Sequence, residues 1–171
     1  YYETIYSQIT ITVQEGAIVS LILLVDNNVS TWESFDITAD DLLDIKVKAY
    51  DQKDNRWIIS ANWTITHSEW SSQSALEQLV GDETTFVPYL ASTEPYSITA
   101  SYNDGFSLHE VAINVTVSHG DLNSVLLTVT DSTGTANTAF DMTADEYIDF
   151  TVELSDLDTN PIDPSILVWY L

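Results

Sequence analysis

The chain has 171 residues, 44% of them hydrophobic, enough to bury the core of one or two domains and unlike a disordered composition. Its 27 acidic residues against 4 lysines and arginines give a formal charge of −23, which argues against a nucleic-acid or anionic-membrane partner, since both need clustered positive charge. Cysteine is absent, so no disulfide framework or thiolate metal site exists, and no apolar run reaches the roughly 18 residues of a membrane span.

The elements read as strands. Residues 1–13 end in strict alternation, with Ile5, Ser7, Ile9, Ile11 and Val13 on one phase, the pattern of a half-buried strand. Gly16 follows as a hinge. Residues 18–25 predict a strand and 26–33 a polar loop. In residues 43–50, Leu43, Ile45, Val47 and Ala49 alternate with polar neighbours, as in an antiparallel strand with one wet face. A turn over 51–56 leads to a strand over 57–66 with Ile59, Ala61, Trp63 and Ile65 on its inward phase. Residues 74–80 fit a short strand or one helical turn equally well. Strands follow over 84–90 and 96–102, then an Asn103-Asp104-Gly105 turn, then a last strand with Val111, Ile113, Val115 and Val117 inward. Further strands are expected over 122–129, 147–154 and 166–171.

The chain repeats itself. Residues 35–50, FDITADDLLDIKVKAY, return as residues 140–155, FDMTADEYIDFTVELS, and the match continues to Asp51/Asp156 and Asn55/Asn160. Upstream, residues 13–25 lie on residues 117–129, sharing the glycine (Gly16, Gly120) at an offset one residue shorter. A period of about 105 residues is that of one β-sandwich domain. The expected boundaries are 1–15 as the last strand of a preceding unit, 16–119 as one complete unit, and 120–171 as the first half of a following one. With no initiator Met and no leader, the stretch reads as internal to a longer protein.

Three features carry a resemblance: the FDITAD…IKVKAYDQKDN…ANWTI pattern, EPYSITASYNDG, and VAINVTVSHG closing one unit and opening the next. Together they resemble the immunoglobulin-like repeats of prokaryotic surface proteins, including bacterial adhesins and archaeal cell-surface proteins. The resemblance spans nearly the whole chain. It implies an all-β, immunoglobulin-like β-sandwich in tandem repeat, with Trp63 and Trp169 as core tryptophans. It also implies Val47 and Ile98 where an inter-sheet disulfide would stand, and Tyr96 at the tyrosine-corner position. The missing cysteine pair departs from the antibody pattern.

Candidate sites are few. Asp156, Asp158 and Asn160 alternate, with Asp163 close behind, and hard oxygen ligands so spaced suit Ca²⁺ at a junction between units, with Asp121 or Glu94 as further ligands. The first unit offers Asp51, Asp54 and Asn55 beside the Asn103-Asp104 turn. Asp and Asn are equally the ordinary residues of a solvated turn. Sequons at Asn28, Asn62 and Asn114 present asparagine on the outward phase, as a glycan needs. Trp32, Trp57, Trp70 and Tyr50 could form a sugar-stacking platform, or pack at the core edge. His67, His109 and His119 are scattered, and no nucleophile elbow, phosphate loop, dinucleotide fingerprint or zinc-protease motif is present.

The expected role is that of a non-catalytic extracellular or cell-surface segment: a structural stalk, spacer or adhesion module requiring no cofactor, calcium being the one candidate. Its partners would be neighbouring repeats of the same chain, and beyond them a cell-surface protein or glycan. A glycan-binding module and a subunit of a strand-complemented filament are the alternatives.

Overall fold

The computed structural model describes residues 9–12, 14, 16–29, 34–68, 75–136, 138–139 and 141–167. In chain order its strands are β1 (Ser20–Val25), β2 (Asn28–Val29), β3 (Ser34–Thr38), β4 (Leu43–Tyr50), β5 (Arg56–Ile58), β6 (Ala61–Thr66) and β7 (Val80–Gly81). They continue as β8 (Glu83–Phe86), β9 (Ser92–Asn103), β10 (Leu108–Ser118), β11 (Ser124–Asp131), β12 (Ile148–Ser155) and β13 (Pro161–Ile162). No α-helix occurs among the described residues, and none is long and apolar enough to cross a membrane.

Residues 16–118 form two sheets around one core. One runs β2-β1-β4-β5, with β8 pairing the first half of β4 and β5 its last residues. The other runs β3-β10-β9-β6-β7. Alternation puts one phase of each strand inward: Leu21, Leu23 and Val25 from β1; Ile45, Val47 and Ala49 from β4; Trp63 and Ile65 from β6; Tyr96 and Ile98 from β9. Trp63 is 1% exposed, and its indole N–H donates to the Gly81 carbonyl at 3.0 Å, so the largest core side chain leaves no buried donor unpaired.

Several expectations need correction. Residues 57–66 do not form one strand. β5 pairs β4 in the first sheet, the chain crosses at Ile59 and Ser60, and β6 pairs β9 in the second. The inward phase runs on through Ile59 (5% exposed) across the crossing, so periodicity alone cannot reveal the change of sheet. The lead-in FDIT is itself a strand, β3, paired in parallel with β10 from Asn114↔Ser34 to Ser118↔Thr38. In the ambiguous stretch Ala75 has 3₁₀ conformation, Leu76 makes an isolated bridge to Phe86 and Val80 opens β7, while Ser74 lies outside the described residues. Of the strand expected over 1–13, residues 1–8 and 13 lie outside the described residues, and 9–12 form no strand: Ile9 and Ile11 are 82% and 80% exposed, with no pairing strand among the described residues. At the far end, Ile166, the first residue of the strand expected over 166–171, closes a 3₁₀ turn, Pro164–Ile166, capped by Asp163, and residues 168–171 lie outside the described residues. Trp169, Trp32 and Trp70 lie outside the described residues.

The third sheet, β11-β12-β13, repeats the pairing of β1-β4-β5. Leu21↔Ala49, Leu23↔Val47 and Val25↔Ile45 become Val125↔Leu154, Leu127↔Val152 and Val129↔Phe150. Ala49↔Trp57 becomes Leu154↔Ile162. The same residues that the sequence aligns are thus ladder partners in the same register. In the sandwich a slip of one residue would turn each apolar phase away from the core, which fixes the register there.

Candidate functional site: a joint between two sheets

The clearest constellation of polar groups joins the sandwich to the third sheet. Its base is a five-residue turn built around Asp156. The turn is closed by Asp156 N–H donating to the Asn160 carbonyl (3.1 Å) and Thr159 N–H to the Asp156 carbonyl (3.3 Å), with Thr159 at φ 68°. The Asp156 carboxylate sits inside it, 1% exposed. Oδ1 accepts the Asn160 N–H at 2.7 Å; Oδ2 accepts the Asn160 side-chain amide at 2.8 Å and the Gly120 N–H at 2.8 Å. Burial is the largest influence on this carboxyl and pushes its pKa up. The donors from Gly120, Asn160 and Asp158 together outweigh burial and hold it below the usual carboxylate value.

Asn160, 2% exposed, then reaches across to the sandwich. Its Oδ1 accepts the Ala91 N–H at 2.8 Å, and its Nδ2 donates to the Tyr89 carbonyl at 3.0 Å. One amide thus reads a donor and an acceptor on a single loop, and these partners fix which way the amide points. The loop is held from beneath, because Tyr96 Oη donates to the Leu90 carbonyl at 2.8 Å. Tyr96 is wedged in the core against Phe86, ring centroids 5.5 Å apart, with the His67 ring stacked on it at 4.4 Å.

A second strut comes from the TAD motif. Thr38 N–H and Oγ1 both donate to Asp41 Oδ2 at 2.9 and 2.8 Å, closing a small loop after β3. That leaves Asp40 pointing outward, where its Oδ2 accepts the Asp121 N–H at 2.9 Å. Gly120 is buried between the two carboxylates; a β-carbon there would collide with the Asp40 carboxylate. This explains why the linker carries glycine. The TAD loop recurs, with Thr143 N–H and Oγ1 donating to Glu146 Oε2 at 2.6 and 3.1 Å.

The same turn exists at the opposite end of the sandwich. Asp51 N–H donates to the Asn55 carbonyl (3.2 Å), Asp54 N–H to the Asp51 carbonyl (3.1 Å), and Asp54 has φ 60°. Asp51 accepts from Lys53 N–H (2.8 Å), Asn55 N–H (3.0 Å) and the Asn55 amide (2.9 Å). The Asn55 side-chain bond is the leading cause that lowers the Asp51 pKa, and the Gly16 N–H adds to it. Each donor has its counterpart around Asp156.

The residues expected to bind calcium are not brought together as ligands. Asp156 and Asn160 spend their side chains on the joint, Asp163 Oδ1 accepts the Ser165 N–H at 2.8 Å, and Asp158 is exposed. Among the described residues no three His, Cys, Asp or Glu side chains converge as a metal site. Asn62 and Asn114 are exposed on the outer face of the second sheet, on β6 and β10. The Asn28 side chain lies outside the described set. Trp57 is half-buried against the core and Tyr50 is half-buried, so neither stands as an open platform. His109 pairs with Asp104 at 3.0 Å. The Ser107 and Phe106 N–H groups, with this histidine, hold Asp104 down to about 2.

Sequence reasoning missed Asp40, Gly120 and the loop over 89–91 as joint residues. Asp40 and Gly120 did carry a signal, for both recur at the repeat offset. The loop carried none, since it contributes backbone atoms. No family model, curated protein or solved structure matches this chain.

Proposed function

We propose that the chain is a non-catalytic stretch of tandem immunoglobulin-like repeats, working as a stalk, spacer or adhesion segment of a large extracellular or cell-surface protein. The joint is the observation that carries this reading. A tight turn, a buried glycine and a bidentate amide couple one sheet system to the next without a flexible linker, which is what a load-bearing or distance-setting array requires and a catalytic domain does not. The topology supports the immunoglobulin-like part: β3 runs parallel to β10, β4 pairs β8, and β6-β9-β10 form the opposing sheet. Trp63 fills the core and Tyr96 makes a tyrosine-corner bond to Leu90 six residues upstream. The repeated register and the repeated turn support the tandem part.

The surface location rests on the acidic composition and on the resemblance. The test is labelling of intact source cells with antibodies to this chain, before and after external protease. Labelling that protease removes is the expected result; labelling only after lysis would overturn the surface reading. In a glycosylating host, Asn62 and Asn114 are open to modification, which peptide mass spectrometry would register.

A further inference from the structure

The joint around Asn160 is occupied, and its twin around Asn55 is not, among the described residues. We propose that the end of the sandwich formed by residues 16–17 and 51–55 is a docking face for the opposite end of another unit of the same fold. That partner end carries an aspartate at the place of Asp40 and a loop like residues 89–91. This deepens the repeat reading and rests on it.

The two turns are bonded alike but buried differently. Asp156 is 1% exposed and Asn160 2%, whereas Asp51 is 7% exposed and Asn55 is open. Gly120 is buried and Gly16 exposed. In each pair the covered member is covered by residues of the sandwich: Asp40, Tyr89 and Ala91. Asn55 spends one amide proton on Asp51, as Asn160 does on Asp156. The groups with which Asn160 reads the loop, Oδ1 and the second amide proton, have no partner at Asn55 among the described residues. The Ala17 N–H stands where the Asp121 N–H meets Asp40, beside a hollow of about 360 Å³ lined by residues 16–19 and 51–53.

Charge favours the same partner. At the occupied joint, Asp158 lines a hollow together with Asp40, Asp41 and Asp121, so like charges face one another. The residue in Asp158's place at the free end is Lys53. A lysine facing the acidic end of another unit would be drawn to it, more strongly at low salt. Residues 9–14 add a second line: they align with 113–118, the end of β10, and Ile9 and Ile11 expose the apolar phase that β10 buries. A preceding unit built on that segment would bring its loop end against Asn55.

The test grafts the free turn onto the occupied joint of the full chain. The triple variant Leu157→Gln, Asp158→Lys, Thr159→Asp gives residues 156–160 the sequence of 51–55. Exchange of the Asn160 side-chain amide protons is then followed by NMR. If the free turn is a docking face, the grafted amide stays as protected as in the parent chain, and protection rises as salt falls. An Asn160 amide that exchanges like that of Asn55, in a variant whose core amides keep their protection, would overturn the proposal. Should the graft disturb folding, a second chain with residues 16–119 duplicated ahead of residue 16 gives the same answer from the other side. There the Asn55 amide of the downstream copy is expected to slow to the level of Asn160, and unchanged fast exchange would overturn the proposal. If Asn160 is unprotected in the parent chain itself, the repeat reading fails with it, so the two failures are separable.

Discussion

β4 and β12 have related sequences and pair in the same register with equivalent strands, β1 and β5 for the one and β11 and β13 for the other, yet have opposite surroundings. Ile45, Val47 and Ala49 are 0%, 1% and 0% exposed, while Phe150 is 55% exposed and Leu127 and Val125, across the ladder on β11, are 50% and 57% exposed. Only Leu154, at 3%, and Ile162, at 6%, are buried in the third sheet, and both lie at its jointed end. The comparison separates two things that a strand pattern encodes together. Pairing and register follow from local alternation and from the turn. Burial needs an opposing sheet, which the sandwich has and β11-β12-β13 lacks among the described residues.

The comparison can be broken most forcefully by excision. Residues 120–171 alone are expected to show no cooperative melt, because their exposed apolar faces cannot offset the entropy of ordering about 1–2 kcal/mol per residue. A cooperative transition from that piece would contradict the account. Next in size are paired truncations, read by chemical denaturation. Trp63→Ala should cost about 3–5 kcal/mol and Leu23→Ala about 2–5, from lost burial and the cavity left behind. The equivalent Leu127→Ala should stay within about 0.5 kcal/mol, as surface changes do.

The two turns give a subtler pair. Asn160→Ala removes the acceptor of the Ala91 N–H and the amide that donates to the Tyr89 carbonyl and the buried Asp156 carboxylate, for about 2–3 kcal/mol of joint stability; Asn55→Ala should cost nearer 1. Tyr96→Phe removes one bond, to Leu90, at about 1 kcal/mol, and should loosen the loop that Asn160 reads. The smallest effects are those of single carboxyls on pH dependence. Asp41, Asp51, Asp104, Asp131, Asp156 and Asp163 all lie below the ordinary aspartate value of 3.8 in the folded chain. Their contribution is therefore complete above that value and lost as pH falls below it, for Asp104 down to about 2. Melting temperature should hold from neutral pH down to about 5 as far as these groups are concerned and then fall. Asp104→Asn should flatten the lowest part of that decline.

Much of this was legible in the sequence, for reasons that particular residues make plain. Leu43 to Tyr50 alternates without interruption and appears as β4 with the inward phase expected. The matched Asp51/Asp156 and Asn55/Asn160 hold the same bonds inside their turns, and among the described residues Asn160 alone also reaches a loop outside its own turn. The sheet change at Ile59 and Ser60 was hidden because a crossing that keeps the inward phase leaves no mark on periodicity. β3 was hidden because the apolar phase of FDIT is short, and its strand character comes from the edge of β10. The docking loop was hidden because backbone N–H and C=O groups are common to every residue. What the repeat did mark was the other half of the joint: Thr38, Asp40, Asp51, Asn55 and their counterparts recur as the side chains that shape it.

The central claim is that the sandwich and the following sheet are held as one body by Asp156, Asn160, Gly120 and Asp40. Residual dipolar couplings measured on the 171-residue chain, and again on Asn160→Ala, test it most directly. The account predicts that strands β1–β10 and β11–β13 share one alignment tensor in the parent chain and acquire two in the variant. Two independent tensors in the parent chain, or one tensor unaffected by Asn160→Ala, would contradict it.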